Sequence, residues 1–250
     1  MISKGDKTIQ VTGKSRSPKT PSVTGKSPPD FKSTTTASES YSSPALTAIK
    51  NVLSNPKAQK VLLQLYRLSQ SEHKRNGKCS PDVGVSREKD LVAVLAYFMK
   101  GVDYKLDNNL PEDVLVLGEK ISIKNFSDSA SFKVKWTSDG FKAREAISSL
   151  CNPDYDHPHL IAINIIKKQQ LKVHLIANTT IKSVISQMGE NAFSSATGKN
   201  NRGVELSKPA LTLLKKGTAH VVTILGANLD SDIEDPIEKR RCLIDKFMAE

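Results

Sequence analysis

The sequence predicts an α/β fold: a mixed central β-sheet flanked by helices, with a helical N-terminal portion behind a disordered N-terminal tail. Three observations predict it. Apolar residues recur at helical spacing in three stretches before any strand pattern begins. Short alternating or unbroken apolar runs follow from about residue 113. Further helical patterns are interleaved with those runs, as a layered α/β domain requires.

The first 42 residues are excluded from the fold. They are rich in Lys, Ser, Thr, Pro and Gly and show no apolar period, so they bury too little surface to offset chain entropy. Residues 43–250 are expected to form one domain, with helices over 43–100 and the sheet core over 111–250. Ser43-Pro44 supplies a capping hydroxyl and a first-turn proline, starting a helix that runs to about Leu53. Asn55-Pro56 repeats the signal, and Val61, Leu62, Leu65 and Leu68 form its buried stripe. Glu72 to Val85 reads as a polar loop. Ser86 is expected to cap a third helix through about Lys100, with Leu91, Val92, Leu95 and Phe98 on its apolar face.

The strands come next. A hairpin is expected over about 113–125. Phe132 to Trp136 alternates, which turns Lys133 and Lys135 away from Phe132, Val134 and Trp136. A helix follows over about 140–150. Leu160 to Ile166 is nearly unbroken apolar sequence, as in a central strand covered on both faces. Leu171 to Ala177 is another strand. Thr180 to Met188 reads as a helix closed by Gly189, Phe193 to Gly203 as a polar loop, and Ser207 to Lys215 as a helix. Ala219 to Leu225 is a last strand and Pro236 to Met248 a last helix.

Composition narrows the function. The formal net charge is +11. The tail holds seven Lys and Arg against three acids, so most of the surplus stays with the folded part and points to an anionic partner, nucleic acid foremost. Cys79, Cys151 and Cys242 are too scattered for a zinc ribbon or a disulfide framework, which fits a reducing, cytoplasmic setting. No run is long enough to span a bilayer. The cluster from Asn152 to His159 has the look of a metal site, but its two prolines mark a turn and its spacing matches no standard zinc motif.

The segment Pro111 to Lys124 carries the chemistry. With Gly118-Glu119 as a two-residue turn, Leu117 pairs with Lys120, Leu115 with Ser122 and Asp113 with Lys124. Asp113, Ser122 and Lys124 then share one face, while Val114, Val116, Ile121 and Ile123 share an apolar one. A three-residue loop would flip one strand instead. Two readings fit the pattern: a hairpin with an exposed Asp–Lys pair of little energetic weight, or a carboxylate and an ammonium held for phosphodiester hydrolysis.

This hairpin resembles the core of the PD-(D/E)xK nucleases. The order of SREKDLVAVLAYFMKG, EDVLVLGEKISIKNFS, FKVKWTSDGFKAREAI and KNNRGVELSKPAL, over about residues 86–248, is similar to type II restriction endonucleases of that superfamily. The resemblance implies a restriction-endonuclease-like core with Asp113 as a Mg²⁺ ligand and Lys124 as the catalytic lysine. Ser122 stands where the pattern has a second carboxylate. The backbone carbonyl of Ile123 and a carboxylate from elsewhere would complete the metal site. Glu88 is the candidate, since it lies on the apolar face of its helix; Glu72 and Glu112 are weaker ones. Lys133 and Lys135 would meet DNA phosphates, as would the helix start at Lys208. Asn201 and Arg202, beside Gly203, would reach a base edge or a phosphate.

The expected function is therefore a Mg²⁺-dependent type II restriction endonuclease, cutting double-stranded DNA at a short site as a homodimer. The alternative is a non-catalytic nucleic-acid-binding protein with a basic tail, for which Ser122 would mark a degenerate nuclease site.

Overall fold

The computed structural model describes residues 43–75, 80–104, 112–127, 131–195, 203–226, 228–229, 233 and 238–243. The expected tail, Asn201 and Arg202 lie outside the described residues. Helices α1 (Pro44–Ser54), α2 (Pro56–Arg75) and α3 (Ser80–Phe98) come first. Strands β1 (Val102–Tyr104), β2 (Val114–Val116), β3 (Glu119–Ser127) and β4 (Lys133–Lys135) lead to α4 (Gly140–Leu150). Then come β5 (His159–Ile166), β6 (Gln170–Ile176), α5 (Asn178–Met188) and a 3₁₀ turn over Gly189–Ala192. The chain continues with β7 (Phe193–Ser195), β8 (Val204–Leu206), α6 (Lys208–Lys216) and β9 (His220–Leu225). Residues 238–243 are helical. No described helix is long and apolar enough to cross a membrane.

Helix starts follow the capping chemistry of the sequence. Ser43 Oγ accepts from Leu46 N at 3.0 Å, and Asn55 Oδ1 accepts from Lys57 N at 2.8 Å. Asp139 caps α4 and Ser207 caps α6, each by a side-chain oxygen. Gly189, at φ 55°, closes α5. The third helix departs from expectation. Ser80 to Val85 is helical, not loop, and so is Glu72 to Arg75. Ser86 is an interior residue whose hydroxyl meets His73 Nε2 at 2.8 Å. Packing of α3 against α2 overrides the weak local propensity that a Gly and a Pro suggest.

The main sheet has six strands in the order β1-β2-β3-β5-β6-β9. It is mixed: β3 and β5 run parallel, and the other pairs are antiparallel. A second sheet, β4-β8-β7, has three strands. Among the nine strands of the described residues, β1, β7 and β8 depart from expectation; at three residues each they are too short to display a period. β5 is buried along nearly its whole length. Ile161, Ile163 and Ile165 enter one core with α1, α2 and α3, while Leu160 and Ala162 enter another with α4, α5 and α6. β3 divides in the same way, Ile121 and Ile123 facing the first core and Phe126 the second.

The hairpin turn is Leu117-Gly118, not Gly118-Glu119. Both residues have positive φ, 51° and 82°, the backbone of a type I′ turn. Val114 therefore pairs with Ile121, Leu115 with Lys120 and Val116 with Glu119. The register differs from the expected one by two residues. Because side chains alternate with period two, the expected facing survives the slip. Glu119, expected in the turn, lies in the strand and anchors α1, accepting from Ser43 Oγ at 2.5 Å and Ala45 N at 3.3 Å.

Leu117 is half exposed in a left-handed conformation that costs an L-residue about 1–2 kcal/mol. Leu117→Asn is expected to raise the unfolding free energy by about 0.5–1 kcal/mol, measured by urea denaturation.

Candidate active site

Beyond Val114 the β2 chain no longer runs as a strand, and the edge of β3 opens. Asp113 stands at that point, its amide still donating to Ile121 O at 2.8 Å. One carboxylate oxygen, Oδ2, gathers three donors: Ile123 N at 2.5 Å, Lys124 Nζ at 2.9 Å and Ser122 Oγ at 3.0 Å. Among the described residues Oδ1 takes no hydrogen bond, so one anionic oxygen is left for another partner. A strand residue sends its N–H and C=O toward the same neighbour. The carbonyl of Ile123 therefore points to the edge where Asp113 sits.

Glu88 reaches the same place from α3. Its Oε1 lies 3.9 Å from Lys124 Nζ, and all three side chains are mostly buried (Lys124 19%, Glu88 23% and Asp113 28% exposed). An ammonium is thus flanked by two carboxylates. Burial, the largest influence, pushes the Glu88 carboxyl up to about 7; Lys124 pulls it down, and the nearby Asp113 raises it further.

Two networks hold α3 in position, and neither was read from the sequence. Asp90, buried two residues after Glu88, accepts from Ser69 Oγ at 2.6 Å and pairs with the Arg240 guanidinium, which also donates to Ser69 at 2.7 Å. Arg87 stacks over the Tyr66 ring at 5.7 Å, and Tyr66 donates to Asn125 Oδ1 at 3.1 Å, one residue past Lys124. Residues 69, 90 and 240 share no sequence window. The available signal was a carboxylate, Asp90, set directly against the apolar stripe of α3.

The remaining expected residues are distributed around this centre. Ser122 and Lys124 line a mainly apolar cavity of about 70 Å³ together with Val134, Tyr155 and Leu160. Val134 brings β4 to the flank of the site. Lys133 is partly buried and Lys135 exposed on that strand. Trp136, expected on the face of Phe132 and Val134, is 60% exposed; β4 ends at Lys135 after a register irregularity, so the alternation lapses there. Lys208 is exposed at the start of α6. Glu72 lies 3.8 Å from Arg240 and belongs to the α3 anchor. Glu112 is buried beside Asp113, and its Oε2 has no hydrogen-bond partner among the described residues. In the Asn152–His159 turn, His157 Nε2 meets Leu150 O at 3.0 Å and His159 joins Glu119 at 2.8 Å. Both are structural contacts.

The model of the ThaI restriction endonuclease family matches residues 49–224, from α1 to β9. The chain belongs to the ThaI restriction endonuclease family. It is accordingly a site-specific DNA-cleaving nuclease of type II. A solved structure described as a restriction endonuclease in complex with substrate DNA is similar to it, with a TM-score of 0.63 and 25% identity over 79% of this chain and 99% of that one. Among curated proteins none matches. The ThaI-family match spans the Asp113–Lys124 hairpin and Glu88, so the acid, the lysine and the substituting Ser122 all lie within it.

Restriction endonucleases generally depend on a divalent metal, and the residues at this edge fit one. The donors are hard oxygens: two carboxylates and a strand carbonyl. No group of three or more His, Cys, Asp or Glu assembles among the described residues. A cation here would take few protein ligands and complete its shell with water and phosphate, as small divalent ions do at phosphoryl centres.

The Glu88 shift has a thermodynamic sign. The folded state binds this proton more tightly than the unfolded chain, whose carboxyl titrates near 4.5. Its contribution is fully present below about pH 4.5 and is lost as pH rises through about 7. With metal chelated, Glu88→Gln is expected to exceed the native protein in stability by up to about 3 kcal/mol near pH 8, the gap closing toward pH 4.5. Urea denaturation at the two pH values measures it. Asp90→Ala, which strands the Arg240 charge, should cost about 3 kcal/mol in the same assay.

Proposed function

We propose that this endonuclease hydrolyses one phosphodiester in each DNA strand with Mg²⁺ held by Asp113, Glu88 and the Ile123 carbonyl. The observation that carries the reading is the placement of Lys124 Nζ 2.9 Å from Asp113 and 3.9 Å from Glu88 at an open strand edge. When bound, the metal polarises the scissile phosphate and makes its water more acidic. Lys124 presents its ammonium to the phosphate oxygens, where charge grows as the water oxygen bonds to phosphorus and the ester bond opposite it breaks. Asp113 fixes that ammonium, and the hydrogen bond from Ser122 fixes Asp113. Ser122 is thus a positioning residue in the place where the family pattern has an acid, and Glu88 supplies the missing carboxylate from α3.

DNA enters along the flank formed by β4 and the α6 start. Lys133, Lys135 and Lys208 meet phosphates there, with Asn201 and Arg202 contributing from the segment before Gly203. Two strands require two sites, so the working form is a symmetric homodimer.

Lys124→Ala and Asp113→Ala should each lower cleavage of a long phage-type DNA by at least about a thousandfold, while a gel shift still shows binding. The native protein should give discrete bands with Mg²⁺ and none with chelator. Retained cutting by a clean Lys124→Ala preparation would overturn the assignment. Sedimentation of the native protein as a monomer, with and without DNA, would remove the dimer.

A further inference from the structure

Two large aromatic side chains stand in solvent at one joint of the fold. Trp136 is 60% exposed just past β4, and Phe141 is 69% exposed in the first turn of α4. Each carries on the order of 150–250 Å² of surface that folding would ordinarily cover. Neither is needed for the core behind them, which Phe132, Ala143 and Ala146 fill. Exposed aromatic bulk five residues apart in sequence and set among cations offers a surface for a partner.

The chemistry around the pair selects that partner. Lys133 Nζ sits 4.1 Å from the Trp136 ring centroid. Lys135 adjoins the ring in sequence, and Lys142 and Arg144 are exposed on the following helix. Of the acids nearby, Asp139 spends its carboxylate on Lys142 N at 2.9 Å and Ser138 Oγ at 2.8 Å. Glu205 lies opposite Lys133 in the sheet, and Glu145 is a turn further along α4. Cations interleaved with aromatic faces suit a polyanion that also offers flat or apolar surface, which is what a nucleic acid presents. A second copy of this chain would bring lysine against lysine at the same place.

The joint is also closely packed and near the Ser122–Lys124 cavity. Gly203 has φ 121°, and a Cβ there would lie 2.6 Å from Lys135 O and 3.5 Å from Trp136 Cα. Gly203 is thereby pressed against the backbone at the base of the tryptophan. On the inner side of the same strand, Val134 lines the cavity that Ser122 and Lys124 line. Whatever seats on Trp136 is therefore registered to the site through one short strand.

We infer that Trp136 and Phe141 each contact sugar and base surface of the substrate duplex, with Lys133, Lys135 and Lys142 on the phosphates beside them. This rests on the function proposed above, and it names which side chains touch sugar and base surface. Trp136 is the single tryptophan of the chain, so its emission reports this position alone. The full chain carrying Lys124→Ala, which binds without cutting, is titrated with duplex DNA in Mg²⁺, and binding is followed in parallel by gel shift. Tryptophan emission should fall in step with the shifted fraction, and heparin, a polyanion without bases, should leave it nearly unchanged. Trp136→Ala and Phe141→Ala should each weaken DNA binding about tenfold. Emission unchanged at saturating DNA would overturn the inference, as would unaltered affinity of both variants. Emission that changes with protein concentration alone would assign Trp136 to a contact with a second copy instead. Metal-dependent cutting by the native protein is scored separately. Cutting without a tryptophan response sinks this inference and spares the active site; no cutting at all sinks the active-site reading.

Discussion

The contact on which the arrangement of the candidate site depends is a carboxylate and an ammonium meeting where a short strand gives out. β2 ends at Val114, and the edge it vacates on β3 is filled by the Asp113 side chain. A strand edge is ordinarily a liability, because its unpaired amides invite another chain. Here one of those amides, from Ile123, is turned onto a charged oxygen and helps to orient it. The break in the ladder is what makes room for the Asp113 side chain beside Lys124.

The cost of that arrangement is borne by the helices behind it. Glu88, mostly buried next to a second carboxylate, pulls against folding, and α3 must be held firmly enough to keep it there. The Ser69–Asp90–Arg240 cluster and the Tyr66–Asn125 contact do this from two directions, one tying α3 to the C-terminal helical segment and the other tying α2 to β3. The first is itself a buried ion pair, a device that often adds specificity of placement more than net stability.

Much of this was legible in the sequence, and what was not has physical causes. Capping residues announced α1, α2 and α6 because a cap is a local interaction. The unbroken apolar run from Leu160 to Ile166 announced a two-sided central strand. Which residues made the hairpin turn was not legible, since Leu117 is a poor choice for positive φ and Gly118 alone fits either turn. The facing of Asp113, Ser122 and Lys124 was nonetheless correct, because an error of two residues leaves a period of two unchanged. The approach of Glu88 was expected from the apolar face of its helix, whereas the Asp90–Arg240 pair, spanning 150 residues, left no trace a local reading can follow. The alternation read from Phe132 to Trp136 stops at Lys135, because β4 ends there after its register irregularity.

β3 has a further consequence for how such an enzyme can change over generations. Its Ile121 and Ile123 are wedged into the core beneath α1, α2 and α3, and Phe126, with the cavity wall at Ser122 and Lys124, belongs to the opposite layer. Neither layer can be remodelled without disturbing the strand that bears the lysine. The small sheet is bound by the same constraint, since Phe193, Val204 and Leu206 pack into that opposite layer and Val134 lines its cavity, so free exchange of side chains is confined to exposed positions such as Lys135.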